Sequence, residues 1–209
     1  THRVDIGGPL GNFHGYKSVD IDANGLWIIM GADGKPKPYT QARQEDKQIL
    51  GNGLPRYYGG WNNTVRYKNW DLSVLMRGAF DFQILNFQRM FYENSQPQIL
   101  GNYNVLKSAF DNVYGKTRLR NPKAYVSYYI ENGDYWKIDN ITLGYNVNMK
   151  SNKYVKSLRL YASGLNLFTI TGYKGIDPEV NRSGLAPGND ERDKFPTTRT
   201  FTLGALVTL

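Results

Sequence analysis

"WNNTVRYKNWDLSVLMRGAF", residues Trp61 to Phe80, alternates twice and turns once. In its first half Trp61, Val65 and Tyr67 share one parity, and Asn62, Thr64 and Arg66 the other. After Lys68 and Asn69 the alternation resumes, with Leu72, Val74 and Met76 set against Asp71, Ser73 and Arg77. A period of two marks a strand whose faces meet different surroundings, and a two-residue polar break between such runs predicts a hairpin. The pattern reaches back to Tyr57, so the hairpin joins strands of about Tyr57 to Tyr67 and Trp70 to Phe80.

The same pattern recurs along the chain and predicts six strands in all. One precedes the hairpin, at about Gly11 to Val19. Three follow it: about Tyr135 to Val147, about Ser157 to Thr169, and the final "RTFTLGALVTL". In that last run Phe201, Leu203, Ala205, Val207 and Leu209 oppose Thr200, Thr202, Gly204 and Thr208, and Leu206 is the one exception. Aromatics at 14% and 22 Gly suit an all-β chain of strands and turns.

The connections separate into two kinds. Lys68-Asn69 and "NMKSNKYVK" are short; Asp20 to Arg56, Asp81 to Asp134 and Ile170 to Arg199 are long. Strict alternation of short and long is what an up-and-down sheet produces when its turns lie on one rim and its loops on the other, the design of outer-membrane barrels. Strands of ~9–11 residues suffice to cross the apolar layer when tilted, and Tyr57, Tyr58, Tyr67, Trp70, Tyr135, Trp136 and Tyr145 crowd the strand ends where an interfacial girdle belongs. A soluble β-sandwich also alternates, but would leave such long loops unexplained.

Six strands fall short of the ~8 of the smallest membrane barrels, and an open sheet in lipid would strand backbone N–H and C=O groups along two edges. The edges must therefore pair with further protein. The chain opens on Thr1, with neither an initiator Met nor a signal peptide, which is what a piece of a longer polypeptide would show.

The residues "GDYWKIDNITLGYNV", "LRLYASGLNLFTITGYKGIDPEV" and "FPTTRTFTLGALVTL" resemble the C-terminal end of the SusC/RagA-like TonB-dependent outer-membrane transporters. "GGPLGNFHGYKSVDIDANG", "ILGNGLPRYYGGWNNTVRYKNWDLSVLMRGAF" and Asn86 to Arg89 resemble that family in the same order. The most specific pieces are Asn166-Leu167-Phe168, Tyr173, Gly175 and Asp177-Pro178-Glu179. The resemblance implies that residues 1–209 are the C-terminal part of a large plugged barrel, its plug domain and earlier strands lying outside this chain. It also implies long loops outside the cell, and import of oligosaccharides or peptides with a SusD-like surface lipoprotein and energy from TonB. The partners it implies are therefore the rest of the barrel and plug, the lipoprotein, TonB, the cargo and outer-membrane lipid.

Two departures stand out. The last residue of such barrels is typically aromatic, and here it is Leu209. Family members often carry a calcium-loop-like "D-x-N-G-D-G" stretch; the matching "IIMGADGK" keeps Asp33-Gly34-Lys35 but has Ile29 and Gly31 where oxygen ligands would sit, so no metal site is expected.

No catalytic or cofactor constellation emerges. Asp177, Glu179, Asp190, Glu191 and Asp193 lie in a Gly-, Pro- and Asn-rich loop and read as turn-shaping carboxylates. His2 and His14 are isolated, and "GADGK" lacks the phosphate-loop spacing. The +8 net charge is scattered rather than gathered into a stripe, which argues against nucleic acid. The expectation is a non-enzyme. Candidate contacts for cargo or partner are the loop aromatics Trp27, Tyr92, Tyr103 and Tyr173, and the polar-face residues Arg66 and Arg77. Two other readings stay open at this point: a complete small structural or adhesive outer-membrane barrel, and a secreted β-sandwich that binds glycans.

Overall fold

The computed structural model describes residues 1–93, 104–120, 123–149 and 154–209. The chain divides into two units: a sheet unit of Arg56–Phe80, Asp134–Gly172 and Pro196–Leu209, and a loop unit of Thr1–Pro55, Asp81–Gly133 and Tyr173–Phe195.

The sheet unit is an antiparallel meander of five strands: β1 (Tyr57–Tyr67), β2 (Trp70–Phe80), β3 (Tyr135–Val147), β4 (Ser157–Thr171) and β5 (Thr200–Thr208). Each pairs with its neighbour in chain order, and β1 and β5 are the two edges. The hairpin turns at Lys68-Asn69, with Lys68 in the left-handed region at φ 53°, as a tight hairpin requires. The Asn69 carbonyl accepts the Asn146 backbone N–H at 2.8 Å, which fastens the turn to the end of β3.

Register separates the two faces. On one, Asp71, Ser73 and Arg77 of β2 stand beside Arg66, Thr64 and Gly60 of β1 and Gly144, Thr142 and Lys137 of β3. On the other, Leu72, Val74 and Met76 meet Val65, Asn63 and Trp61 on one side and Leu143, Ile141 and Ile138 on the other. This apolar face is open: Leu203 is 86% exposed, Phe201 76% and Val65 56%. In water that much contiguous apolar surface would drive association. In hydrocarbon it is the required coat.

Aromatic rings mark both ends of that face. Trp70 and Tyr145 lie 4.7 Å apart near the short turns, and Phe80 stacks with Trp136 at 6.2 Å near the opposite rim. The ten-residue step from Trp70 to Phe80 spans about 34 Å along a strand, or about 24–28 Å across the bilayer at a tilt of ~35–45°, which matches the ~25 Å apolar band of outer-membrane barrels.

The polar face is braced across strands. Arg159 of β4 reaches over Gly144 to Asp71 of β2, with Nε–Oδ1 at 3.1 Å and Nη2–Oδ2 at 2.5 Å. A Cβ on Gly144 would stand 2.4 Å from Arg159 and 2.6 Å from Asp71, so this glycine makes the diagonal ion pair possible. The Tyr161 ring fills the space over Gly204 in the same way. Leu206, the exception in the alternation, is in register with Arg159 on this polar side.

One expectation is corrected. The stretch at about Gly11 to Val19 is not a sixth wall strand. It forms Asn12–Tyr16, paired with His2–Arg3 and Lys47–Asn52, and runs on into Ser18–Ile21 of a separate three-stranded sheet with Trp27–Met30 and Pro36–Pro38. One of its sides is buried within the loop unit, where Phe13 is fully buried and a Cβ on Gly15 would meet the Tyr125 ring at 2.4 Å, and the other, with Asn12, His14 and Tyr16, is half-buried. Alternation reports two different environments but does not say that one is lipid.

The two faces make opposite predictions. In the full receptor folded in a lipid bilayer, Leu203→Arg near the middle of β5 lowers stability by about 2–4 kcal/mol, and Thr202→Arg beside it by less than ~1 kcal/mol. Urea titration of the folded barrel measures both; equal costs would contradict the assignment of faces.

Candidate functional site

Three segments join the sheet at the same end of its strands, Thr1–Pro55 before β1, Asp81–Gly133 between β2 and β3 and Tyr173–Phe195 between β4 and β5, and in the loop unit they build one another. Gln83–Asn86, from the second long segment, pairs antiparallel with Ile130–Asn132 and parallel with Asn189–Asp190 of the third. The loop core contains Phe13, Ile21, Trp27, Ile29, Leu85, Met90, Val113, Leu119, Val126 and Tyr129. The first segment joins it as well: His2 Nε2 donates to the Pro187 carbonyl at 2.8 Å, and Gly53 packs against Pro187 so closely that a Cβ would lie 2.2 Å from its oxygen.

Helix α1 (Phe87–Tyr92) starts directly after this small sheet. Asn86 is its N-cap and accepts the Arg89 N–H at 3.0 Å, as a short polar side chain at that position should. Arg89 then carries a buried ionic network. Its guanidinium forks onto Glu93, Nε–Oε1 at 2.6 Å and Nη2–Oε2 at 3.0 Å, and its third nitrogen bonds Glu131. Glu131 also accepts the Lys174 N–H at 2.9 Å and the Asn86 amide at 3.3 Å, and the guanidinium lies 5.0 Å over the Tyr128 ring. Burial opposes the Arg89 charge, but the hydrogen bonds it donates to Glu93 and Glu131 outweigh it and hold the pKa above its usual value. The network thus joins α1, Ile130–Asn132 and the start of the third segment.

Beside it Tyr173 donates to Asp190 at 2.6 Å. Burial, then the Asp190 contact, pushes the Tyr173 phenol up, and burial raises Asp190. Lys194 closes the segment by donating to the Asp177 and Glu179 carbonyls at 3.0 and 2.9 Å. Asp177 caps the Glu179 N–H at 2.8 Å, the turn-shaping role read for it in the sequence.

With the small sheet holding residues 189–190 beside the start of α1, a groove of about 580 Å³ opens between the helix and the chain that follows. It is lined by Phe87, Phe91 and Tyr92 on one wall and Asn189, Glu191, Arg192 and Asp193 on the other. The Arg192 guanidinium lies over Phe91 at 4.1 Å.

The candidate contact residues fall in different places. Trp27 is fully buried, its indole 5.2 Å from the Tyr128 ring and 5.9 Å from Tyr129, and Tyr173 is buried at 6% exposure; both are core of the loop unit. Tyr92 lines the groove. Tyr103 lies outside the described residues. Arg66 and Arg77 share the polar face of the sheet but stand at opposite parts of it. Arg66 is exposed and lines a recess of about 330 Å³ with Asp71, Asn146 and Arg159, whereas Arg77 pairs with Asp139 at 3.2 Å, where β3 bulges. Phe87, Arg89 and Arg192 are not among the contact candidates of the sequence. The signal for Arg89 was present in "NFQRMFYE": a cap residue three positions before an Arg, with Glu four positions after it.

The calcium-loop stretch does not fit a metal. Asp33 accepts the Lys35 N–H at 3.1 Å, Gly31 leaves its position without a side-chain oxygen, and among the described residues no three acidic or His side chains converge. A cation is nevertheless present there: the Lys37 ammonium bonds the buried Asp46 carboxylate at 2.6 Å, and Asp46 also accepts Ala32 N–H at 2.9 Å and Arg43 N–H at 2.7 Å.

No family model matches the chain. Over 98% of its length it is 28% identical to TonB-dependent receptor P3 of Formosa agariphila, of which it covers 22%. Over 76% of its length it is 30% identical to TonB-dependent receptor SusC of Bacteroides thetaiotaomicron, of which it covers 16%. The chain thus spans about a fifth of the length of the curated relatives it matches. Its fold is that found in the solved structure of the RagAB peptide transporter (TM-score 0.78, 20% identity, 94% of this chain and 22% of that one), and in the RagAB peptide importer in its closed-closed state (TM-score 0.73, 19% identity, 94% and 23%).

Two outcomes test the loop chemistry. Arg89→Met leaves Glu93 and Glu131 buried without their cation and destabilises the loop unit by about 3–5 kcal/mol. Cleavage of the loops by a protease that attacks the opened state then accelerates by at least about a hundredfold in the intact receptor. Lys37, then the Ala32 and Arg43 amides, hold Asp46 at about 2, below the usual carboxylate value. A depressed acid contributes stability that is fully present above its unfolded pKa of ~3.9 and is lost as pH falls through about 2. Protection of residues 32–46 in hydrogen exchange therefore falls between pH 4 and 2, and Asp46→Asn abolishes that dependence.

Proposed function

We propose that this chain, a homologue of the SusC/RagA-like TonB-dependent receptors, supplies one arc of the barrel wall and part of the loop surface of an outer-membrane nutrient importer. The wall belongs to the bacterial outer membrane. On this reading residues 1–209 are the C-terminal part of the receptor, the short turns face the periplasm and the loop unit faces outward. The cargo is an oligosaccharide or a peptide, handed over by a SusD-like lipoprotein, and TonB supplies the energy through a plug domain elsewhere in the polypeptide.

One observation carries the reading: a sheet greasy on one side, polar on the other, girdled by aromatics at both rims and, among the described residues, unpaired along both edges. A secreted sandwich would bury the face that carries Leu203 and Leu143. A complete small barrel would pair β1 with β5, and these two strands are the outer members of the sheet. The chain's role is binding and containment rather than catalysis, a reading supported by the tying of buried titratable groups to one another in Arg89–Glu93–Glu131 and Tyr173–Asp190.

Uptake decides the matter. Cells carrying the full receptor accumulate labelled cargo from a mixed pool of oligosaccharides and peptides, and accumulation falls to the level of receptor-less cells when TonB is deleted. Accumulation that persists without TonB would refute the importer reading.

A further inference from the structure

We infer that the rim of short turns seats an anionic phospholipid, its phosphate on Lys68 and Lys156 and one acyl chain in a dent of the apolar face between Trp70 and Leu203. The inference goes beyond the importer reading and rests on it only for the leaflet, the inner one, which the short turns meet. The site itself stands on the geometry of the sheet unit.

Charge is the first observation. From Arg66 to Asp71 and from Asn146 to Arg159 the chain carries six Lys and Arg but a single acid, Asp71. Arg159 already pairs with that acid on the polar face. Lys150 and Lys153 lie outside the described residues and count only toward the charge of their turn. Lys68 and Lys156 are exposed, and among the described residues neither pairs with a carboxylate. Lys68 is held on the lipid side: its ammonium lies 5.3 Å from the centre of the Tyr67 ring, and Tyr67 shares the parity of Val65 and Trp61. Lys156 stands just before β4, fixed by its N–H bond to the Thr208 carbonyl at 2.8 Å, two positions ahead of Leu158 on the apolar face. Two interfacial ammonium groups without a protein anion attract lipid phosphate.

Shape is the second. A dent of about 480 Å³ opens in the apolar face toward the same rim. Trp70 and Tyr145, 4.7 Å apart, stand at its rim end, and Leu160, Leu143 and Leu203 complete its walls. Ala162 lies in register between Leu143 and Leu203, and its single methyl in that row leaves the hollow. Leu160 is four residues beyond Lys156, about 13 Å along a strand, which is within the ~15 Å of hydrocarbon in one leaflet. One lipid therefore reaches both the ammonium groups and the dent. Its acyl chain meets carbon on three sides there, with more dispersion contact than a flat wall gives. A zwitterionic headgroup brings its own cation to the lysines, whereas a phosphate without one leaves them its full charge.

The test titrates the full detergent-solubilised receptor with three probes in native mass spectrometry: dioleoylphosphatidylglycerol, dioleoylphosphatidylcholine with the same chains, and lipid A, the anion of the other leaflet. Phosphatidylglycerol is expected to bind at least about tenfold more tightly than phosphatidylcholine, and K68Q/K156Q to lose about that factor. K35Q/K107Q, which removes the same charge from exposed positions of the loop unit, is expected to change nothing. A162L, which fills the dent, weakens both phospholipids by the same factor and leaves their ratio in place. Equal affinity for the two phospholipids, an unchanged K68Q/K156Q, an equal loss in K35Q/K107Q or an unchanged A162L overturns the inference. So does lipid A that binds more tightly than phosphatidylglycerol and depends on the same lysines. TonB-dependent uptake is scored separately: selective lipid binding without such uptake removes the importer reading and leaves the lipid site standing, and uptake without selective binding does the reverse.

Discussion

Hydrocarbon offers no partner to a backbone N–H or C=O, and the sheet unit is organised by that constraint. Each peptide group left unpaired in the apolar layer costs several kcal/mol, a sum over one edge strand that exceeds the whole stability of a typical domain. Strands β2, β3 and β4 meet the constraint inside the chain. β1, exposed along all eleven residues, and β5 meet it on one side only. The chain is thus an arc of a ring, and its side-chain pattern follows from what the two sides of a ring face: Leu, Val and Phe toward lipid, with aromatics at the rims, and Thr, Ser, Asn and the Asp71–Arg159 pair toward the interior.

The loop unit obeys a different rule. It is long, Gly- and Pro-rich and short of regular structure, and so has few ladders to hold it. Its order comes from a compact apolar core around Trp27 and Phe13 and from polar fastenings between segments distant in sequence: Arg89 to Glu131, Tyr173 to Asp190, Lys194 to the 177–179 carbonyls, Lys37 to Asp46. Buried ion pairs of this kind add little over a well-packed apolar equivalent, but the loss of one member is severe. They set which segment lies beside which, and in doing so place Asn189–Asp193 next to the rings of α1.

The wall was legible in the sequence because its physics is periodic. The hairpin at Lys68-Asn69, the two faces and the aromatic ends all follow from parity and turn chemistry. The limits are as physical. Gly11 to Val19 alternates too, but between a buried and a half-buried side of a small sheet, and parity alone cannot distinguish a lipid face from a packed core. Trp27 and Tyr173 read as exposed loop aromatics because no local signal reports burial by segments a hundred residues away. The place of Phe87 was not legible because a six-residue helix leaves almost no periodic trace, and the pairing of Phe91 with Arg192 is set by the tertiary alignment of Asp190 with Asn86.

The central claim, closure of the ring by protein outside this chain, is tested most directly by hydrogen–deuterium exchange of backbone amides in the full receptor in lipid. The account predicts that the amides of β1 (Tyr57–Tyr67) and β5 (Thr200–Thr208) are protected as strongly as those of the central strand β3, since each edge has gained a neighbour. Rapid exchange along either edge, with β3 protected, would mean an unclosed sheet and would contradict it.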